Sequence, residues 1–226
     1  MSGNNASSPS RAPHRQSLSP VVLQPSLSKE EINLLPIRAW EGPVVLVQDE
    51  DALAAALNDL WQENVLGFDT ETRPTFTKGK TCHPALIQLA TAETVYLIQL
   101  THTPFSEDVA ELLSSPRVLK AGVAIHDDMK ALARIHPFVA DGVADLAAMA
   151  RARGIQAQGL RTLAANLLGF RISKSAQCSN WENYELTVQQ IKYAATDAWV
   201  GRELYFHMLR QGGSQPPRQR KAKKSA

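Results

Sequence analysis

Val65-Leu66-Gly67-Phe68-Asp69-Thr70-Glu71 is an apolar run that ends in two acids. Its length and composition predict a buried strand. Side chains two apart on a strand point to the same face, so Asp69 and Glu71 project together from the end of this one. Two neighbouring carboxylates repel each other, and burial raises their pKa values. A hard divalent cation with oxygen ligands relieves both problems. A solvated pair of strand-end acids has the same spacing, so this stretch alone leaves both readings open.

Outward from this strand, Ala85–Thr91 and Thr94–Leu100 predict two more strands, close enough to form a hairpin across Ala92-Glu93. Val44–Val47 is a short β-type run, and Leu53, Ala56, Leu57 and Leu60 mark a helix from about Asp51 to Gln62. Val118–Ile125 is another apolar run, ending at His126-Asp127-Asp128 and leading into a helix. Beyond about residue 128 the pattern is almost wholly helical. These elements predict an α/β domain, a mixed sheet flanked by helices.

Two further places hold acids at element ends or on helix faces. Thr187 and Gln190 form a capping box, with Leu186 and Ile191 as its hydrophobic staple. On the helix that follows, Tyr193 and Asp197 stand at i and i+4 and share a face. A core-edge aromatic beside a surface acid has the same spacing. Asp127 and Asp128 stand where strand meets helix, and either could cap. Asp128 precedes Leu132 by four and Ile135 by seven, on the apolar face, whereas Asp127 aligns with Ala131 and Arg134. The expectation is Asp128 as the inward ligand and Asp127 as the cap.

The chain has 226 residues, 44% of them hydrophobic, enough to bury one sizeable core. No apolar run approaches a membrane span, so no membrane association is expected. Cys82 and Cys178 form neither a disulfide framework nor a metal-ligand spacing and read as two structural thiols. Residues 1–27 are rich in Ser and Pro and read as a disordered tail; an organelle transit peptide fits their composition less well because of the prolines. Residues 212–226 read as a second, basic tail, leaving 28–211 as the folded domain. The tails hold seven cations and no acid, so the net charge of +2 leaves the body at −5. An acidic body of this kind is accommodated when several of its acids hold cations. An intracellular location is expected, cytoplasmic first, with nucleus and organelle open. The sequence gives no reading of oligomeric state.

Taken together, the motifs resemble the DEDDy-type 3′–5′ exonucleases, the group of ribonuclease D and the Werner syndrome exonuclease domain. The Werner-type branch is nearer. Gly67-Phe68-Asp69-Thr70-Glu71 and then Gly79-Lys80 to Ala85-Leu86-Ile87-Gln88-Leu89 resemble the first motif and its sequel. Lys120 to Asp128 resembles the second, and Cys178-Ser179-Asn180-Trp181, Leu186-Thr187 and Tyr193 to Ala198 resemble the third. The resemblance covers about residues 40–210. It implies a ribonuclease H-like fold and hydrolysis of phosphodiester bonds from the 3′ end of nucleic acid, DNA more than RNA. It further implies two divalent cations, Mg²⁺ or Mn²⁺, held by Asp69, Glu71, Asp128 and Asp197, with Tyr193 as the tyrosine of the subclass. An exoribonuclease that trims RNA 3′ ends, or a non-catalytic binding module on the same fold, are the alternatives. A degenerate module would have lost at least one acid, and here all four stand.

There are departures. Thr72-Arg73-Pro74 stands where the Werner-type motif has an aromatic; Arg73, Lys78 and Lys80 are candidate phosphate contacts in its place, and an ordinary solvated loop has the same composition. Gln177 replaces a frequent basic residue. Trp181 is a candidate to stack on a base, with packing the favoured role. No helicase motif or Walker lysine loop is present.

Overall fold

The computed structural model describes residues 26–75 and 82–211. β1 (Val44–Val47), β2 (Val65–Thr72), β3 (Pro84–Ala90), β4 (Val95–Gln99), β5 (Leu119–Gly122) and β6 (Val143–Asp145) form one sheet, in the order β1-β4-β3-β2-β5-β6. β3 runs antiparallel to β2 and β4, and the remaining pairs are parallel. The expected hairpin joins β3 to β4, its turn closed by the Thr91 N–H donating to Thr94 O. The mixed sheet and its flanking helices bear out the α/β expectation.

Helices cover both faces. They are α1 (Lys29–Leu34), α2 (Glu50–Leu60), α3 (Glu107–Ser114), α4 (Ile125–Leu132), α5 (Leu146–Ala152), α6 (Leu160–Leu163) and α7 (Val188–Gln211). Strand alternation divides the core between the two faces. Leu66 and Phe68 point one way with Ile87, Leu89, Tyr96 and Ile98, against α2, α3 and α4. Val65, Leu86, Ala90 and Leu97 point the other way, under α5, α6 and α7. Each buried Val, Leu, Ile or Phe among them contributes roughly 1.5–3 kcal/mol.

The sequence pattern is almost wholly helical beyond about residue 128 and gives no strand there, which β6 corrects. This strand has only three half-buried residues, too few to show a period. It follows Gly142, whose positive φ of 60° turns the chain onto the sheet edge. Its last residue, Asp145, caps α5 by accepting from the Ala147 and Ala148 amides.

α7 lies unusually close to β2. A Cβ on Gly67 would stand 1.9 Å from the Ala198 carbonyl oxygen, and one on Gly201 3.0 Å from the Ala121 oxygen. Ala194, Ala195, Ala198 and Gly201 supply a stripe of small buried residues that permits this approach. Residues 1–25 and 212–226, the greater part of both expected tails, lie outside the described residues. Ser26 and Leu27 do not, and the Leu27 amide donates to Asn166 Oδ1 at 2.9 Å. Both cysteines are unpaired, and Cys178 is exposed rather than built into the core. Among the described residues no helix is long and apolar enough to cross a membrane.

Candidate active site

β2 ends in Asp69 and Glu71, both on the face beneath α7. A register shift between Glu71 and Thr72 breaks the β2–β3 ladder just beyond them, as bulges beside functional sites commonly do. α7 begins with the expected capping box: the Gln190 amide donates to Thr187 Oγ1 at 3.2 Å, and Gln190 Oε1 accepts from the Thr187 amide at 3.0 Å. One turn on, it carries Tyr193, 8% exposed, and Asp197, 6% exposed. The close contact at Gly67 sets the depth at which these two side chains meet the strand end.

Asp128 comes from the opposite side, on α4. It accepts a 2.7 Å hydrogen bond from the Thr70 hydroxyl, so it faces inward as expected. Asp127 corrects the companion expectation. α4 starts two residues before it, with Ala124 as the N-cap and no side-chain cap bond. Asp127 is an exposed residue of the first turn, paired with Lys130 at 3.0 Å. Ala124 adopts the left-handed conformation at φ 56°, the one non-glycine among the described residues with positive φ. That turn costs about 1–2 kcal/mol and aims the helix so that Asp128 points at β2.

The four carboxylates disturb each other. Burial, then the charges of Asp197 and Asp128, hold Asp69 well above the ordinary carboxylate range, against the pull of the Thr70 amide. Burial first and the other three acids after it push Glu71 up to about 9. Asp128 rises to about 6 through burial, with the Thr70 hydroxyl opposing. Burial lifts Asp197 to about 7, opposed by the Tyr193 hydroxyl and the Arg161 charge. Tyr193 is raised above its ordinary value by burial and then by the surrounding carboxylates. It therefore stays protonated and donates to Asp197.

This set fits divalent cations: four oxygen-bearing anions crowded together, short of positive charge. Among the described residues, no three His, Cys, Asp or Glu side chains are already closed into a ligand set. Each of three acids turns toward a protein donor instead, Asp69 to the Thr70 amide at 2.8 Å, Asp128 to the Thr70 hydroxyl, and Asp197 to Tyr193.

The expected substrate contacts fare differently. Lys78 and Lys80 lie outside the described residues. Arg73 is exposed but already paired with Glu182 at 2.9 Å. Trp181 is completely buried, its ring centroid 6.0 Å from that of Tyr193. That corrects the base-stacking expectation, because no ring face is open, and leaves packing behind the tyrosine.

Three participants escaped the sequence reading. Thr70 tethers Asp128. Arg161 donates from Nε to the Ile172 oxygen at 3.1 Å, its buried Nη1 has no hydrogen-bond partner among the described residues, and its charge reaches Tyr193 and Asp197. Gln88 stands directly across the ladder from Asp69, fully buried, with neither amide atom hydrogen-bonded among the described residues. Its only trace in the sequence is one amide in the apolar run Ala85-Leu86-Ile87-Gln88-Leu89-Ala90, which does not name its neighbour.

Comparison with known proteins agrees with this geometry. A family model described as 3′–5′ exonuclease matches residues 44–212. The chain is 34% identical over 181 residues to the bifunctional 3′–5′ exonuclease/ATP-dependent helicase WRN of Mus musculus, covering 76% of the chain and 13% of that protein. It is 30% identical to the exonuclease mut-7 homolog of Homo sapiens, over 86% of the chain and 25% of that protein. The chain thus spans a quarter or less of these two relatives' lengths. Among solved structures, the Aedes aegypti Nibbler EXO domain superposes with a TM-score of 0.70 at 28% identity, covering 77% of this chain and 90% of that one. Escherichia coli RNase D, at 22% identity and a TM-score of 0.66 over 75% of this chain and 46% of its own, shares the fold. Members of this family are metal-dependent hydrolases of the ribonuclease H-like fold. With the family model spanning β2, α4 and α7, the elements that carry the acids and the tyrosine, the chain belongs to the 3′–5′ exonuclease family and to its DEDDy-type branch.

Proposed function

We propose that the chain removes nucleotides from the 3′ end of DNA, with Asp69, Glu71, Asp128 and Asp197 holding two divalent cations, Mg²⁺ or Mn²⁺. The observation that carries this is the convergence of four carboxylates with raised pKa values, Asp197 buried and the other three half-buried, beside one protonated tyrosine. Held by these four acids, such cations would supply charge neutralisation at the scissile phosphate and a lowered pKa for the attacking water. The residues do the remaining work. Tyr193 keeps its proton, so it is no general base; its hydroxyl orients the water through a hydrogen bond. Arg161 favours the ionised form of Asp197, the form a cation needs. Thr70 and the strained turn at Ala124 hold Asp128 opposite them.

DNA is proposed on the likeness of the three motifs to the Werner-type exonuclease domain. RNA is the second reading, since the shared fold extends to E. coli RNase D, described as an exoribonuclease involved in structured RNA processing. The test is purified protein with Mg²⁺ or Mn²⁺ on 5′-labelled single-stranded DNA, recessed duplex DNA and RNA. A ladder of products shortened from the 3′ end, lost in excess chelator and in Asp69→Ala, is expected. Undiminished digestion in chelator sinks the cation reading; preference for RNA overturns the substrate.

A further inference from the structure

A cleft of about 1120 Å³ lies between α7 and the strap that precedes β1, with Tyr193 and Asp197 in its lining. The strap is bound at several points. Arg38 N–H donates to Arg171 O at 2.9 Å, Ile37 bridges to Arg171, and Trp40 N–H donates to Thr196 Oγ1 at 3.1 Å. We propose that this cleft is the track of the single strand whose 3′ end reaches the acids, with Trp40 as its stacking platform and Arg38 and Lys192 as its phosphate contacts. The proposal rests on the nuclease reading for the direction of the strand, but not for binding itself.

Three observations favour a nucleic-acid strand here. The first is that Trp40 is preorganised. Its ring folds over Gly42, where an added Cβ would meet it at 2.3 Å, and its Nε1 donates to Pro43 O at 2.9 Å. It tilts against Trp199 with centroids 5.9 Å apart, and Trp199 stacks on Phe170 at 5.7 Å. Packing on the edge of the core holds this half-buried indole in place, and a base needs a rigid π-face of that kind. The second is charge. In a body with net negative charge, this cleft is lined by the exposed cations Arg38 and Lys192, with Glu41 as its one carboxylate besides Asp197. Arg38 lies over the Phe170 ring at 5.9 Å, which places its guanidinium beside the aromatic wall. The third is continuity. Tyr193 and Asp197, one of the four acids, are themselves part of the cleft's lining, so a strand lying in it passes beside the site.

The experiment separates binding from chemistry. Binding of 5′-fluorescein-labelled single-stranded dT12 is followed by anisotropy in Ca²⁺, across a salt series. Chemistry is read in Mn²⁺ on the p-nitrophenyl ester of thymidine 5′-phosphate, which has no strand to occupy the track. Trp40→Ala is expected to weaken dT12 binding about tenfold, the scale of one lost base stack, and Trp40→Phe to restore most of it. Arg38→Ala/Lys192→Ala, both at exposed positions, is expected to weaken binding and reduce the salt slope by about 1.4, the single-strand value for two lost phosphate contacts. All variants are expected to hydrolyse the small ester at the wild-type rate. Wild-type affinity and salt slope in the double variant, with dT12 digested normally, would overturn the track. Its surface substitutions leave the fold intact, so this arm stands even if Trp40→Ala loosens the strap. Absence of hydrolysis by the wild type on both substrates, with dT12 still bound through these residues, would instead overturn the nuclease reading and leave the track standing.

Discussion

At the scale of single residues, the site depends on protons and on where oxygen atoms point. Tyr193 shows this most simply. Its hydroxyl is one atom, its ring is packed against Trp181, and its pKa is raised by burial and by its anionic neighbours. Tyr193→Phe keeps the ring and removes the donor. Single-turnover cleavage is expected to fall by about 10²-fold, the scale of a lost positioning group, with substrate affinity nearly unchanged. An unaltered rate would reduce the tyrosine to packing. The pairing of Asp69 with Glu71, of Tyr193 with Asp197, and the inward turn of Asp128 were all legible, because strand and helix periods fix them locally. Arg161 and Gln88 were not. Each reaches the site from a segment whose local pattern carries no sign of the other elements, and only the sheet register brings Gln88 opposite Asp69.

At the scale of elements, the angle of α4 and the depth of α7 decide which acids meet. The phase of α4 buries Ile125, Met129 and Leu132 and leaves Asp127 in solvent beside Lys130. Asp128→Asn should therefore cripple cleavage, while Asp127→Asn should stay within a few-fold of wild type. Equal and severe losses in a side-by-side rate measurement would mean that both acids serve the site. α7 offers a second test. Gly67→Ala puts a methyl 1.9 Å from the Ala198 carbonyl oxygen, backbone that cannot swing aside. The helix must lift, at about 1–3 kcal/mol of overpacking, and Asp197 lifts with it. A lowered melting temperature together with cleavage falling more than tenfold is expected; full activity would show that the strand end tolerates a displaced helix. The sequence announced the long elements through periodicity and the start of α7 through its capping box. It could not announce β6, three residues long, or the start of α4, where an alanine in the left-handed conformation replaces the usual capping side chain.

At the scale of the molecule, the acid cluster opposes the fold that creates it, and pH exposes the conflict. Groups whose folded pKa lies above the unfolded value give stability that is complete below the unfolded pKa and lost as pH rises through the folded one. Here the unfolded carboxyls ionise near pH 4. Their folded counterparts hold protons to about 6 at Asp128, about 7 at Asp197 and about 9 at Glu71. Between about pH 4 and 9 the folded chain thus binds more protons than the unfolded one, and this cluster's contribution declines as pH rises. Divalent cations act in the opposite sense. They bind the ionised cluster of the folded chain, so they stabilise most where the protons have left, by an amount that grows with concentration over Kd. The expected result is a metal-free melting temperature that falls from pH 5 to pH 9, and a Mg²⁺- or Mn²⁺-dependent increment that rises over the same interval. Asp128→Asn removes one of the titrating acids, so its metal-free profile should be flatter than the wild type's and its metal increment smaller. That difference isolates the cluster from the titration of the rest of the surface. Parallel wild-type and variant profiles, with or without metal, would show that the four carboxylates neither share protons nor take up cations as a unit.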